Sequence, residues 1–140
     1  MKNSQKVIHQ MYKNDAFSQW LGIEIVDMKE GFCELKMIVR EEMLNGFQIA
    51  HGGIAYSFAD SALAFASNAR GRKSLSVETS ISHTVSVKDG DVLTAITDEV
   101  SLSDKFGVYL VTITNQKNQQ VAIFKGTVYR TSKKWFSEIE

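Results

Sequence analysis

Residues 52–69, GGIAYSFADSALAFASNA, read as one long helix with apolar side chains on nearly every face and a single charge, Asp60, inside it. Ile54, Ala55, Phe58, Ala59, Ala62, Leu63, Phe65 and Ala66 occupy much of its circumference, and a helix that is apolar all round has to be buried. Its many alanines let other backbones approach closely. A single sheet of this chain's size wraps only part of such a helix, so a second copy is the natural cover for the remainder. Ala55, Ala59 and Ala62 are then expected near a helix–helix contact.

The remaining sequence supplies the sheet. From Ser4 to Asn14, Val7, Ile8, Met11 and Tyr12 recur at helical spacing, predicting an amphipathic N-terminal helix, and Asp15 is placed to cap a short turn through Trp20. The period then changes. Gly22–Lys29 is rich in β-branched residues, and Cys33, Leu35, Met37 and Val39 alternate with Glu34, Lys36 and Ile38 across a KEG hairpin turn. After a loop over Arg40–Ala50 and the long helix, closed by Gly71, four more strands are expected. They run over Leu75–Val87, Val92–Leu102, Phe106–Asn115 and Val121–Thr131, separated by KDGD, SDK and NQKNQQ. This order fits an α+β architecture in which an antiparallel sheet covers one long central helix.

With 140 residues, no proline and no visible repeat or low-complexity linker, the chain reads as one domain over residues 1–140. Sixteen basic residues balance sixteen acidic ones, which gives no net field to favour nucleic acid or an anionic membrane as main partner. The longest apolar run, around Ala62–Ala66, is too short to span a bilayer. One cysteine, Cys33, forms no intrachain disulfide, and the chain opens without the charged-then-apolar pattern of a secretory leader, so a cytoplasmic setting is expected.

Asp60 is the only charged residue between His51 and Arg70, and burying an isolated carboxylate is costly unless it is paired, hydrated or neutralised. Two readings are open: a purposeful acid, or one that faces solvent or bonds a neighbouring loop. The HGG at the helix start would leave unpaired backbone N–H groups at the positive end of the helix dipole, where a developing oxyanion can be held. Paired glycines also serve tight turns and close packing. Gly52 and Asp60 are eight positions apart, roughly 12 Å along a helix, too far to flank one carbon within a chain. Two antiparallel central helices related by a twofold axis would bring the start of one to the Asp60 of the other.

The joint pattern MLNGFQIAHGGIAYSFADSALAFASNARG, with Asp60 nine positions after His51, resembles the signature of hotdog-fold acyl-CoA thioesterases of the PaaI type from phenylacetate degradation. The early MYKNDAFSQWLGIEIVDMKEGF and the late GVYLVTITNQ extend the resemblance over nearly the whole chain. It implies a hotdog fold with an additional N-terminal helix, a homodimer or a homotetramer of two dimers, and acyl-CoA as substrate with no cofactor beyond the coenzyme A it carries. Asp60 is implied as general base or nucleophile, Gly52 and Asn45 as the backbone and side-chain groups that polarise the thioester carbonyl, His51 as a residue that fixes the loop, and Ser76 as a hydroxyl that positions water. Gly53, Ser86, Lys88, Lys105 and Gly107 are expected to contact substrate. Relatives commonly carry Arg-Pro where this chain has Val85 and Ser86, so Lys88, Lys105, Arg70, Arg72 or Lys73 would have to supply charge for the coenzyme A phosphates. His83 stands where an apolar residue is more usual, which implies a structural role.

Other chemistries find little support. There is no G-x-S-x-G elbow, no G-x-G-x-x-G and no P-loop, and His9, His51 and His83 lack metal-site spacing. Cys33, alternating with polar residues in a strand, reads as an inert buried thiol, and Trp135–Phe136 as a docked tail. Two rivals remain: a hydratase or dehydratase acting on acyl thioesters, whose histidine and carboxylate are spaced more widely, and a non-catalytic acyl-CoA-binding protein, which needs no attacking carboxylate. The acyl group is not specified beyond aryl or short to medium aliphatic.

Overall fold

The structure, a computed structural model, describes residues 1–137. Helices α1 (Asn3–Lys13) and α2 (Ala16–Leu21) precede the hairpin β1 (Glu24–Lys29) and β2 (Phe32–Ile38). A short 3₁₀ turn over Glu41–Met43 leads to the long helix α3 (Gly52–Asn68), followed by β3 (Arg72–His83), β4 (Val92–Leu102), β5 (Phe106–Thr114) and β6 (Gln120–Lys134). The strands form one sheet in the order β1-β2-β4-β5-β6-β3, antiparallel throughout. No helix among the described residues is long and apolar enough to cross a membrane.

Alternation drives the sheet to curl around α3. Cys33, Leu35, Met37, Leu93, Ala95, Val111, Ile113 and Phe124 point inward and are fully or almost fully buried against Phe58, Leu63 and Phe65 of the helix. On the opposite side of α3 lies α1, with Val7 and Ile8 buried, the Tyr12 ring edge-on to Phe65, and the Tyr12 hydroxyl donating to the Ile23 carbonyl at 2.6 Å. Asp15 caps α2 as its position predicts, accepting from the Ser18 N–H at 2.9 Å, and Gly22 ends that helix in the left-handed conformation at φ 75°. The tail docks through Trp135, whose indole N–H donates to Asn68 Oδ1 at 2.9 Å.

Two expectations need correction. The strand predicted over Leu75–Val87 runs instead from Arg72 to His83, because its only partner among the described residues, β6, extends to Lys134 at one end and begins at Gln120 at the other. Beyond His83 only the first two residues of β6 remain, with the Thr84 and Val85 N–H groups both donating to the Val121 carbonyl at 2.9 and 3.4 Å, and the chain then turns beneath the start of α3, where the Ala50 N–H donates to the Val87 carbonyl at 2.7 Å. Second, Ala55, Ala59 and Ala62 are buried within the protomer itself, so they are not the face offered to a partner helix. The residues of α3 that this chain leaves partly open are Gly52, Gly53, Tyr56, Ser57, Asp60 and Ala64, one stripe at helical spacing. Beside it lies β3, whose outer edge pairs with no strand among the described residues.

Candidate active site

The loop before α3 is shaped by its own hydrogen bonds. Asn45 and Ile49 close a tight turn, with Asn45 N–H donating to the Ile49 carbonyl at 2.8 Å and Gln48 at the tip in the left-handed region at φ 63°. The Asn45 side-chain oxygen accepts from the Phe47 N–H at 2.8 Å. That bond fixes the amide plane and leaves the Nδ2 hydrogens without an acceptor among the described residues.

His51 caps α3. Its Nδ1 accepts from the Gly53 N–H at 3.1 Å, so in the neutral ring the proton sits on Nε2, while its carbonyl accepts from Ile54 N–H at 2.9 Å. Of the donors that the HGG sequence frees, Gly53 and Ile54 are therefore satisfied. The Gly52 N–H keeps no acceptor among the described residues. Gly52, Asn45, His51 and Ser86 line one cavity of about 280 Å³ at the positive end of α3.

Asp60 lies elsewhere. It is half-buried, has no hydrogen-bond partner among the described residues, and lines a separate cavity of about 220 Å³ with Met11, Leu63, Leu75 and Ser76. Burial, and then the negative charge of Asp15, raise its carboxyl above the usual range. A neighbouring loop does not pair it. An unpaired acid with a raised pKa binds a proton more readily than an ordinary aspartate, which suits a base. Ser76 reaches the same cavity on the inward-facing row it shares with Ser74, and a bulge between Ser76 and Glu78 then shifts that row to Thr79, Ile81 and His83.

The coenzyme-facing candidates separate similarly. Ser86 belongs both to the Gly52 cavity and to an adjoining one lined by Lys88 and Lys117. Lys105 sits exposed in the β4–β5 turn at the far end of the sheet, where its carbonyl accepts from Arg130 N–H. Gly107 lines none of these cavities; it is buried in β5, and a Cβ there would lie 3.0 Å from the Tyr109 ring and 3.3 Å from Val128. Arg70 is held by Glu99 at 2.7 Å, Arg72 by Asp104 at 3.1 Å, and Lys73 lies over the Trp135 ring, which leaves these three engaged within the protomer. Met11 and His83 are among the cavity residues outside the sequence-based set of functional candidates. Met11 reaches the Asp60 cavity from α1, and His83, read as structural, is exposed and lines the Gly52 cavity. The helical period of α1 signals burial of Met11 but not what it is buried against.

The geometry has counterparts. The Thioesterase superfamily pattern matches residues 47–122. The acyl-coenzyme A thioesterase PaaI of Escherichia coli is 40% identical over 122 residues, 87% of this chain and 87% of its own. The structure of that PaaI protein, from the phenylacetic acid degradation operon, superimposes with a TM-score of 0.92 at 37% identity, over 94% of this chain and 96% of that one. A protein of Archaeoglobus fulgidus is 41% identical over 128 residues, 91% of this chain and 83% of its own. A hypothetical thioesterase of Streptococcus pneumoniae, crystallised with coenzyme A, superimposes with a TM-score of 0.84 at 26% identity, over 89% of this chain and 98% of that one. The chain therefore belongs to the thioesterase superfamily, as an enzyme of the hotdog-fold, PaaI type.

Proposed function

We propose that the protein hydrolyses acyl-coenzyme A thioesters at two identical sites, each shared between protomers of a homodimer. Asp60 of one protomer deprotonates water or attacks the thioester carbonyl itself, while the Gly52 N–H and Asn45 amide of its partner polarise that carbonyl. The observation that carries this reading is the separation of two incomplete halves along one helix. Donors without acceptors line one cavity, an unpaired carboxylate lines another, and the stripe joining them is the part of α3 that the protomer leaves open. An antiparallel partner along the free edge of β3 would cover that edge and bring each Gly52 to the other chain's Asp60. Two such dimers forming a tetramer is the larger assembly proposed.

The streptococcal neighbour with bound coenzyme A supports the leaving group. Ser86 connects the Gly52 cavity with Lys88 and Lys117, a route that leads from thioester to phosphates, and Lys105 of the partner is proposed to approach from the other chain. The acyl group occupies the Asp60 cavity. An apolar cavity of about 150 Å³ holds benzene, and about 220 Å³ is space on that scale for one ring with a short arm, which favours phenylacetyl or hydroxyphenylacetyl thioesters over long alkyl ones. No dissociable cofactor, nucleic acid or membrane is invoked, and a cytoplasmic site of action is proposed.

Thiol release from a panel of aryl, short, medium and long acyl-CoAs tests this. Phenylacetyl and hydroxyphenylacetyl substrates are expected to exceed palmitoyl-CoA in kcat/KM by about 10²-fold or more, the scale set by several ill-fitting methylenes. Asn45→Ala is expected to lower kcat more than it raises KM, since a donor aimed at the oxyanion acts in the transition state. Absence of thiol release from every acyl-CoA, with binding retained, would make the protein a binder.

A further inference from the structure

His83 stands at the end of β3 on the inward row that faces α3, and its imidazole lies against the first residue of that helix. A Cβ placed on Gly52 would be 3.3 Å from His83 Nε2, 3.6 Å from Cε1 and 4.0 Å from Cδ2. The ring edge carrying Nε2 is thus turned toward the first residue of α3, whose N–H has no acceptor among the described residues. Neither ring nitrogen has a hydrogen-bond partner among the described residues, although the side chain lines the same cavity as Asn45 and Gly52. His51, by contrast, has its Nδ1 engaged at the helix cap.

From this geometry we infer that His83 is a catalytic residue, whose Nε2–H donates to the thioester carbonyl oxygen alongside the Gly52 N–H. The inference rests on the thioesterase reading above and adds a third donor to the Gly52 N–H and the Asn45 amide. As the water oxygen bonds to the carbonyl carbon and its proton passes to Asp60, the carbonyl π pair moves onto oxygen, where His83 and Gly52 hold the charge. Collapse returns that pair to the carbon and expels the coenzyme A sulfur with the electrons of the broken C–S bond. The arrangement also gives Gly52 a reason beyond its turn, because a side chain at that position would press on the imidazole.

The test compares H83F, H83A and H83Q with wild type in kcat and KM on the preferred acyl-CoA, with D60N in parallel and the melting temperature and assembly mass of each variant measured. Glutamine keeps an N–H near the place of Nε2, whereas phenylalanine and alanine do not. H83F is expected to lose about 10²-fold in kcat with KM changed less than about threefold, the pattern for one lost oxyanion donor. H83Q should recover at least about tenfold of that loss. If phenylalanine disturbs folding, H83A against H83Q carries the same comparison. A kcat loss under about tenfold in the folded donor-less variant, a loss confined to KM, or a folded H83Q no better than that variant overturns the assignment. D60N retaining wild-type activity would instead defeat the thioesterase site as a whole, whatever the His83 variants do.

Discussion

Replacing Gly126 by alanine tests how the sheet holds the carboxylate in place. Gly126 lies in β6 directly beneath α3, and a Cβ there would meet Leu63 Cδ2 at 2.4 Å, Leu63 Cδ1 at 3.1 Å and the Phe124 ring at 3.1 Å. Carbon atoms pack best at about 3.5–4.0 Å, so the Leu63 methyl has to retreat by about 1 Å or more. Leu63 is 1% exposed and Phe124 fully buried, which leaves no solvent-facing rotamer to absorb the move. Overpacking of this kind costs about 1–3 kcal/mol, and the reduced freedom of the unfolded chain returns about 0.4–1 kcal/mol. The net is a destabilisation of about 1–2 kcal/mol, or a fall in Tm of about 3–7 °C for a chain of this length at fixed protein concentration. Leu63 follows Asp60 by three residues on the same helix and lines its cavity, so lifting it also displaces the carboxylate. A fall in kcat of about 10–100-fold is expected, given that a misplacement of about 1 Å can cost 10²-fold. Thermal melts and thiol-release kinetics measure both effects. An unchanged or raised Tm, with kcat unchanged, would refute the view that Gly126 sets the height of α3.

Asp60→Asn should abolish hydrolysis yet raise stability at neutral pH. Because burial and Asp15 raise the folded carboxyl pKa, the stability this group contributes is full below its unfolded pKa and is lost as pH rises through the folded value. The variant escapes that loss, so its Tm should exceed that of wild type at pH 7 and converge with it below about pH 4; equal values at pH 7 would contradict a burial cost. Cys33, whose thiol burial pushes up to about 12, should resist maleimide at pH 8 in the folded protein and react fully in denaturant. Rapid labelling of the native chain would show that the core under α3 opens far more readily than its packing implies.

The sequence displayed the elements more clearly than their ends or faces. Alternation in Cys33–Val39 and the long alanine-rich apolar run of α3 are local signals, and both elements form where they predict. The limits of β3 are not local, since they depend on how far β6 reaches alongside it. The composition of α3 likewise shows that it must be buried but not by what. Only its packing against the sheet and α1 reveals that Ala55, Ala59 and Ala62 are already covered and that the open stripe is the one bearing Asp60. For the site, Asn45, His51, Gly52 and Asp60 stood out as a spaced pattern in a single stretch. His83 and Met11 reach their cavities from other elements, and nothing in linear spacing brings a strand end beside Gly52 or places α1 against Asp60.

Subunit complementation puts the shared site to its most direct test. Gly52 is the first residue of α3, where proline is well tolerated, and His51 at ψ 138° already has the extended backbone that a following proline requires. Gly52→Pro therefore deletes the proposed oxyanion donor while keeping the helix start, and its Cβ presses on His83, which belongs to the same half-site, so the defect stays on one side of the shared site. Each of Gly52→Pro and Asp60→Asn alone should be nearly inactive. Mixed in equal amounts with complete subunit exchange, half of the dimers become heterodimers, each with one doubly defective site and one intact site. The mixture should then recover about a quarter of wild-type specific activity. Exchange demonstrated by mass spectrometry with activity still absent would contradict the account, and would require Asp60 to act with donors of its own chain or not at all.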